Sequence, residues 1–205
     1  MLNYTNSYEN IIKDVIAGKP VIIVDSYDRE NEGDLMIAAS KANVENLAFM
    51  ARWARGIMCL PCLSDRLERL DIPMTHTNKL DKYSTPFANS IDSNGDSTTG
   101  VSVKDRLVTI NKFTSETSIP TDFCQPGHLF PLRARKGLLK DRQGHTESSI
   151  EICLSAELPP VAVIIEVMNE DGSMARLPQL EELAVKFNLN IISIDEIIES
   201  KYGKL

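Results

Sequence analysis

Basic residues are the minority: 22 lysines and arginines stand against 29 aspartates and glutamates, a formal charge of −7 with a sequence pI near 5.0. Nucleic-acid binding calls for a basic footprint, so nucleic acid is excluded as the main partner, while a local basic pocket for a small anion is not. Long apolar runs are missing as well. No stretch approaches the roughly 20 apolar residues of a membrane helix, and residues 1–8 are too polar for a signal peptide. The chain is therefore read as cytoplasmic, with no membrane partner. Cysteines number only four, and without a secretory signal they are expected as reduced thiols, not a disulfide frame. Repeats, low-complexity tracts and linkers are absent too, so residues 1–205 are read as one domain with a sizeable core.

What is present centres on Asp28-Arg29-Glu30-Asn31-Glu32-Gly33-Asp34. It separates two apolar, strand-like runs, 21–24 and 35–39. A helix fits poorly, because Gly33 costs about 1 kcal/mol and Asp28/Glu32 and Glu30/Asp34 repel at helical spacing. If the chain stays extended, Glu30, Glu32 and Asp34 point to one side. Carboxylates held together near a core take up protons or recruit a hard dication such as magnesium. A solvated acidic turn is the bland alternative; the flanking core strands favour a site.

Elsewhere the pattern predicts helices over 7–18 (Ser7 as cap), 43–55 (Asn43 as cap, Gly56 closing), from Ser64 to before Pro73, and from Ser102-x-x-Asp105 to about residue 112. Further strands are read at 57–60, 129–134, 161–167 and 191–194. Residues 75–96 read mostly as loop, with a strand at 87–92 turned by Asn94-Gly95. A helix opens after Gly144 with Ile150 and Leu154 on one face, another spans about 180–187, and Asp195 caps the last. Alternating strands and helices give one mixed α/β domain. Cys59-x-x-Cys62 invites a redox or zinc reading, but no second close pair completes a zinc site, and small apolar packing explains both thiols.

Two stretches suit anions. Thr98-Thr99-Gly100 precedes a helix, a weak signal that an ordinary helix start also explains. Arg142-Gln143-Gly144-His145-Thr146-Glu147 ends the one basic concentration and opens a helix. It combines close backbone approach, free N–H groups, a bidentate donor and a hydroxyl, which suits a phosphate monoester. His145 can ligate a metal beside it. Glu166 inside an apolar strand must be paired, protonated or functional, and Gln125-Pro126-Gly127-His128 carries a histidine into a strand.

These motifs, with Met168-Asn-Glu-Asp-Gly-Ser-Met-Ala-Arg176, resemble in order and over nearly the whole chain the 3,4-dihydroxy-2-butanone 4-phosphate synthases of riboflavin biosynthesis. The resemblance implies a carbon–carbon lyase turning D-ribulose 5-phosphate into 3,4-dihydroxy-2-butanone 4-phosphate and formate. It implies an α/β fold of α+β type, a single mixed-sheet domain flanked by helices. It further implies a homodimer with sites near the subunit interface, and dependence on magnesium, with manganese as a substitute. By motif, Glu30 and His145 would bind the metal, while Arg29, Glu30 and Asp34 would contact the sugar. Arg142, Gln143, Gly144, His145 and Thr146 would hold the phosphate, with a contact from Thr98 or Thr99. Glu166 and His128 would be essential to catalysis, Glu32 and Asp34 would share acid–base work, and Cys59 would lie near the pocket. The chain departs from the family at Leu138, where a second glycine is expected after Gly137, and at Ala88-Asn89 in place of Thr-Val. A metal-dependent sugar-phosphate hydrolase and a non-catalytic phosphosugar-binding module use the same ingredients and are the competing readings.

Overall fold

The computed structural model describes residues 7–75, 83 and 85–203. Its strands are β1 (Val21–Val24), β2 (Gly33–Ala38), β3 (Cys59–Cys62), β4 (Ile91–Ser93), β5 (Phe123–Arg133), β6 (Ala162–Glu166) and β7 (Ile191–Ser193). They form one seven-stranded mixed sheet in the order β4-β5-β3-β6-β2-β1-β7. β1 runs parallel to β7, and β3 runs parallel to β5; the remaining neighbours are antiparallel. The helices are α1 (Tyr8–Ile16), α2 (Val44–Trp53), α3 (Ser64–Arg69), α4 (Val103–Thr114), α5 (His145–Ser155), α6 (Leu177–Phe187) and α7 (Ile194–Tyr202). None of them is long and apolar enough to cross a membrane.

Both faces of the sheet are covered, which is why β1 and β2 read as unbroken apolar runs and not as alternation. Period-two geometry divides them between two cores. Ile22, Leu35 and Ile37 pack with Leu47 and Met50 of α2, Phe113 of α4 and Leu180 of α6. Val21, Ile23 and Met36 pack with Ile11 and Val15 of α1, Ile152 of α5 and Ile197 of α7 on the other face. Each such aliphatic side chain contributes about 1.5–3 kcal/mol when fully buried.

Several local expectations are corrected. β3 lies two residues later than its apolar pattern suggested, because Pro61 is accommodated inside it opposite Leu132. That register sends Cys59 into one core and Cys62 into the other, so the two thiols face opposite ways and cannot share a metal or a bond. In the segment read as a strand over 87–92, Phe87 and Ala88 make only isolated bridges, and the ladder begins at Ile91. Part of the loop reading, at 76–82 and 84, lies outside the described residues.

Asn43 caps α2 through a reciprocal pair with Asn46. Ser102 caps α4 by accepting from the Asp105 N–H at 3.1 Å, but the Asp105 carboxylate turns away to Thr98 and Thr99. The last helix is capped by Ser193, not Asp195, since Ser193 and Glu196 exchange bonds in a Ser-x-x-Glu box. Leu154 is 41% exposed. The buried part of α5 is its first nine residues, including Glu147, Ser148, Ser149 and Glu151. Such a helix shows no amphipathic stripe, which misled the periodicity.

Candidate active site

Asp34 at the start of β2 and Glu166 at the end of β6 are register partners. Both fall on the face covered by α5, beside Cys59, which pairs with Ile164. The Ile57 N–H donates to Glu166 Oε2 at 3.0 Å. Gly56 permits this approach, since a Cβ there would stand 2.5 Å from Glu166 O and Oε2. Asp34 is buried, and its Oδ1 has no hydrogen-bond partner.

The acidic stretch is not extended. It turns at 27–30, and Asn31 takes the left-handed conformation at φ 55°, which costs a non-glycine residue about 1–2 kcal/mol. Asp25, which sequence reasoning passed over, organises the turn. Its Oδ2 accepts from Arg29 Nη1 at 2.8 Å and the Glu30 N–H at 3.0 Å, and its Oδ1 accepts from the Glu32 N–H at 2.9 Å. The available signal was a carboxylate directly after a buried strand. Glu30, Glu32 and Asp34 still converge, now through a turn.

They line a cavity of about 140 Å³ together with Arg29, Cys59, Arg142, His145, Thr146 and Glu166. Gly144 supports this wall as the N-cap of α5, packed so closely on Arg142 that a Cβ would overlap the guanidinium. Gln143 is exposed and does not line the cavity. Neither do Thr98, Thr99 and His128. These three belong to a separate group, in which His128 Nδ1 lies 2.6 Å from Asp92 Oδ2 and Gly100 packs on the same carboxylate. Asp105 fixes Thr98 and Thr99 there.

Within the cavity the charges draw a cation. Ligand atoms of Asp25, Glu30 and His145 lie within 4.8 Å of one another. His145 Nδ1 is 3.5 Å from Glu30 Oε2, while its buried Nε2 has no partner. Burial opposes charging of His145, but Asp34, the Glu30 hydrogen bond and Asp25 outweigh it and raise its pKa to about 9. Burial alone would raise Glu30; its bond with His145 and the charge of Arg29 hold it down at about 2. Asp34 is pushed up to about 7 by burial, with Glu166, Glu30 and Glu32 adding to the effect against His145. Glu166 and Glu32 are raised as well, chiefly by burial. Burial, with the charges of Glu166 and Asp34, pushes the Cys59 thiol far up, so it stays protonated. A carboxylate–imidazole donor set with orphaned buried atoms at His145 and Asp34 fits a hard divalent cation. Because Asp25 already accepts three N–H bonds, Glu30 and His145 are the fitting ligands.

The start of α5, next to His145, suits an anion. The first N–H groups of α5 have no acceptor within the helix, and Thr146 is buried beside them. Arg142 is held by three bonds: Nη1 to Glu147 Oε2 at 2.6 Å, Nη2 to Thr85 Oγ1 at 3.0 Å and Nε to the Tyr83 carbonyl at 3.1 Å. A guanidinium carries five N–H groups, so it retains capacity for a phosphate. Glu147 is fully buried and also accepts from the Arg135 N–H; no role was read for it in the sequence. Leu138 adopts φ 52°, the left-handed conformation that a glycine there would hold without strain.

Fold and site together define a mixed α/β protein with a cavity whose lining combines a carboxylate–imidazole donor set with two arginines and the start of a helix. The chain belongs to the 3,4-dihydroxy-2-butanone 4-phosphate synthase family, whose model matches residues 9–200. It is 47% identical over 197 residues to the riboflavin biosynthesis protein RibBA of Aquifex aeolicus, covering 95% of this chain and 48% of that protein. It is 43% identical over 191 residues to a 3,4-dihydroxy-2-butanone 4-phosphate synthase of Photobacterium phosphoreum, covering 93% of this chain and 53% of that protein. A solved 3,4-dihydroxy-2-butanone 4-phosphate synthase in complex with two magnesium ions superposes with a TM-score of 0.90 at 33% identity, covering 98% of this chain and 100% of that one. The chain spans about half the length of these two curated relatives.

Proposed function

We propose that this chain, as one synthase domain over 1–205, converts D-ribulose 5-phosphate into 3,4-dihydroxy-2-butanone 4-phosphate and formate in the cytoplasm. The observation that carries the reading is the register pair Asp34–Glu166 beside the orphaned His145 Nε2, in one cavity with Arg142 and the start of α5. Glu30 and His145 would hold magnesium, or manganese in its place. When bound, the ion supplies Lewis-acid polarisation of adjacent sugar oxygens.

Arg142, Thr146 and the α5 amides bind the phosphate and so fix the far end of the sugar. Arg29 and Glu30 orient its hydroxyls. Asp34 and Glu166, both raised towards neutrality, are suited to accept a proton from carbon and return one to oxygen; Glu32 is the third carboxyl of that set. Cys59 closes the wall as a neutral thiol. C4 lies between C3 and C5, so its release needs a skeletal shift. After enolisation and loss of water, C5 moves from C4 to C3, the C4–C5 bond breaking as the C3–C5 bond forms. Once water has returned at C4, the C3–C4 bond breaks and C4 leaves as formate. The four-carbon phosphate and formate together account for every atom of the substrate, so no water or redox partner is consumed overall.

The same reading includes a homodimer. An apolar groove of about 470 Å³ runs past Ile57 and Phe87, at the cavity wall, to Gln125 and Pro126, next to His128. Phe87 lines both this groove and the cavity, so a second copy seated on the groove would put the site near the interface. Incubation with D-ribulose 5-phosphate and magnesium should release formate and the four-carbon phosphate in equal amounts, and neither after EDTA treatment. Inorganic phosphate in place of formate would establish a hydrolase instead, and unchanged sugar a binding module.

A further inference from the structure

We propose that Arg176 is the positioning residue of the metal-binding turn: its guanidinium fixes the backbone at Glu30 and Asn31, and so keeps the Glu30 carboxylate beside His145. The inference rests on the reading of Glu30 and His145 as metal ligands. Arg176 Nη1 donates to the Glu30 carbonyl at 2.9 Å and to the Asn31 carbonyl at 2.5 Å. One of these belongs to the ligand-bearing residue and the other to its left-handed neighbour. The turn cannot secure those carbonyls by strand pairing, since β2 begins only at Gly33.

Amides and carbonyls of the turn are thus served from opposite sides. Asp25 collects the Glu30 and Glu32 amides from the β1 side. Arg176 collects the carbonyls from the α6 side. It is itself well placed to do so, because its own N–H donates to Gln179 Oε1 at 3.0 Å in the first turn of α6. Further along that turn, Leu180 packs on the same segment, where a Cβ at Gly33 would stand 2.5 Å from Leu180 Cδ1. The sequence stretch ending at Arg176 therefore meets the acidic stretch in space, and α6 is the element that joins them.

A role through charge alone predicts the opposite result. Arg176 Nη1 lies 3.8 Å from Glu32 Oε1, a carboxylate of the cavity lining, so its charge offsets part of the negative field that would draw a cation there. If charge were what mattered, removing it would tighten metal binding. If the guanidinium positions the turn, removing it weakens binding, since losing an outer partner of a metal ligand costs about 10–100-fold in affinity.

The test is manganese binding followed by electron paramagnetic resonance, expressed per folded protein from near-ultraviolet circular dichroism, with no substrate present. Arg176→Met should weaken manganese binding about 10–100-fold, and Arg176→Lys, which keeps the charge and part of the reach, should fall between it and the unaltered protein. Equal or tighter binding in Arg176→Met, or normal binding in Arg176→Lys should Arg176→Met fail to fold, would overturn the proposal. Glu30→Gln separates the two levels of the argument. If it loses manganese while Arg176→Met does not, only the positioning role has failed. If it too binds normally, the ligand assignment has failed with it.

Discussion

Replacing Glu147 should damage stability far more than its distance from the reacting carboxyls suggests. Its side chain is fully buried and that of Arg142 is only 10% exposed, with 2.6 Å between them. Glu147→Ala strands the guanidinium without its counter-charge, and breaking a buried pair from one side costs about 3–5 kcal/mol. For a protein of this size each kcal/mol shifts the melting temperature by roughly 2–4 °C, so a fall of roughly 6–20 °C is expected. Glu147→Gln keeps the volume and an acceptor for the Arg135 N–H but loses charge assistance worth about 1.5–3 kcal/mol, an intermediate result. Removing both charges at once, as in Arg142→Met/Glu147→Leu, should recover much of the loss, because no buried charge is left unpaired even though the bonds to the Arg135 N–H, Thr85 and the Tyr83 carbonyl go. That double variant should melt well above Glu147→Ala while remaining unable to hold the sugar phosphate. The assay is a calorimetric melt of all three, paired with substrate binding by titration. A melting temperature for Glu147→Ala within about 2 °C of the unaltered protein, or a double variant as unstable as the two single changes together, would refute the reasoning. The same pairing means that Arg142→Ala, expected to weaken substrate binding about 10–100-fold from the loss of a charged contact, will also lower stability.

Stability of the metal-free protein should fall as pH rises from 6 to 9. The raised pKa of His145 is a stabilising contribution complete below its unfolded value of 6.5 and lost as pH passes about 9, and the raised pKa of Asp34 is a penalty that grows from pH 3.8 to about 7. Magnesium should flatten that profile, and melting curves at fixed ionic strength with and without EDTA read it directly; a flat metal-free profile would contradict both assignments. Glu166→Gln should bind D-ribulose 5-phosphate yet release formate about 10²–10⁴-fold more slowly, the usual loss for a general acid or base; near-normal turnover with a lowered melting temperature would make Glu166 structural. Gly56→Ala forces a methyl against Glu166, so it should depress formate release while binding of inorganic phosphate, governed by Arg142 and the start of α5, stays unchanged.

Much of the fold was legible because the strands that matter are short, β-branched and buried on both faces. Asn43, Ser102 and the Gly144 helix start were legible through local chemistry that needs no distant partner. What failed was whatever depended on tertiary company. Leu154 obeys helical spacing, yet α5 is covered on every side through Cys153 and emerges only in its last turn. Asp195 and Ser193 are both plausible caps, and only the reach of Glu196 decides between them. Thr85, Phe87, Leu132 and Ile164 line the cavity without having been read as site residues, whereas its carboxylates, histidine, arginines and Thr146 were singled out by type. The residues that hold them were not. Asp25, Glu147 and Arg176 look in sequence like ordinary surface charges, and their roles arise from burial or from carbonyls and amides that no side-chain pattern records.

The strand order has a consequence for how the protein comes into being. Asp34 lies on the second strand and Glu166 on the sixth, and they become neighbours only when β6 slots in beside β2. His145 arrives on a helix from between β5 and β6. The cavity lining runs from Arg29 to Glu166, so no short fragment carries it, and its formation waits on the long-range pairings that are slowest to close. During refolding, recovery of cation binding should therefore lag the recovery of helical signal, and an emerging chain would be unable to act on its substrate until nearly all of it had been made.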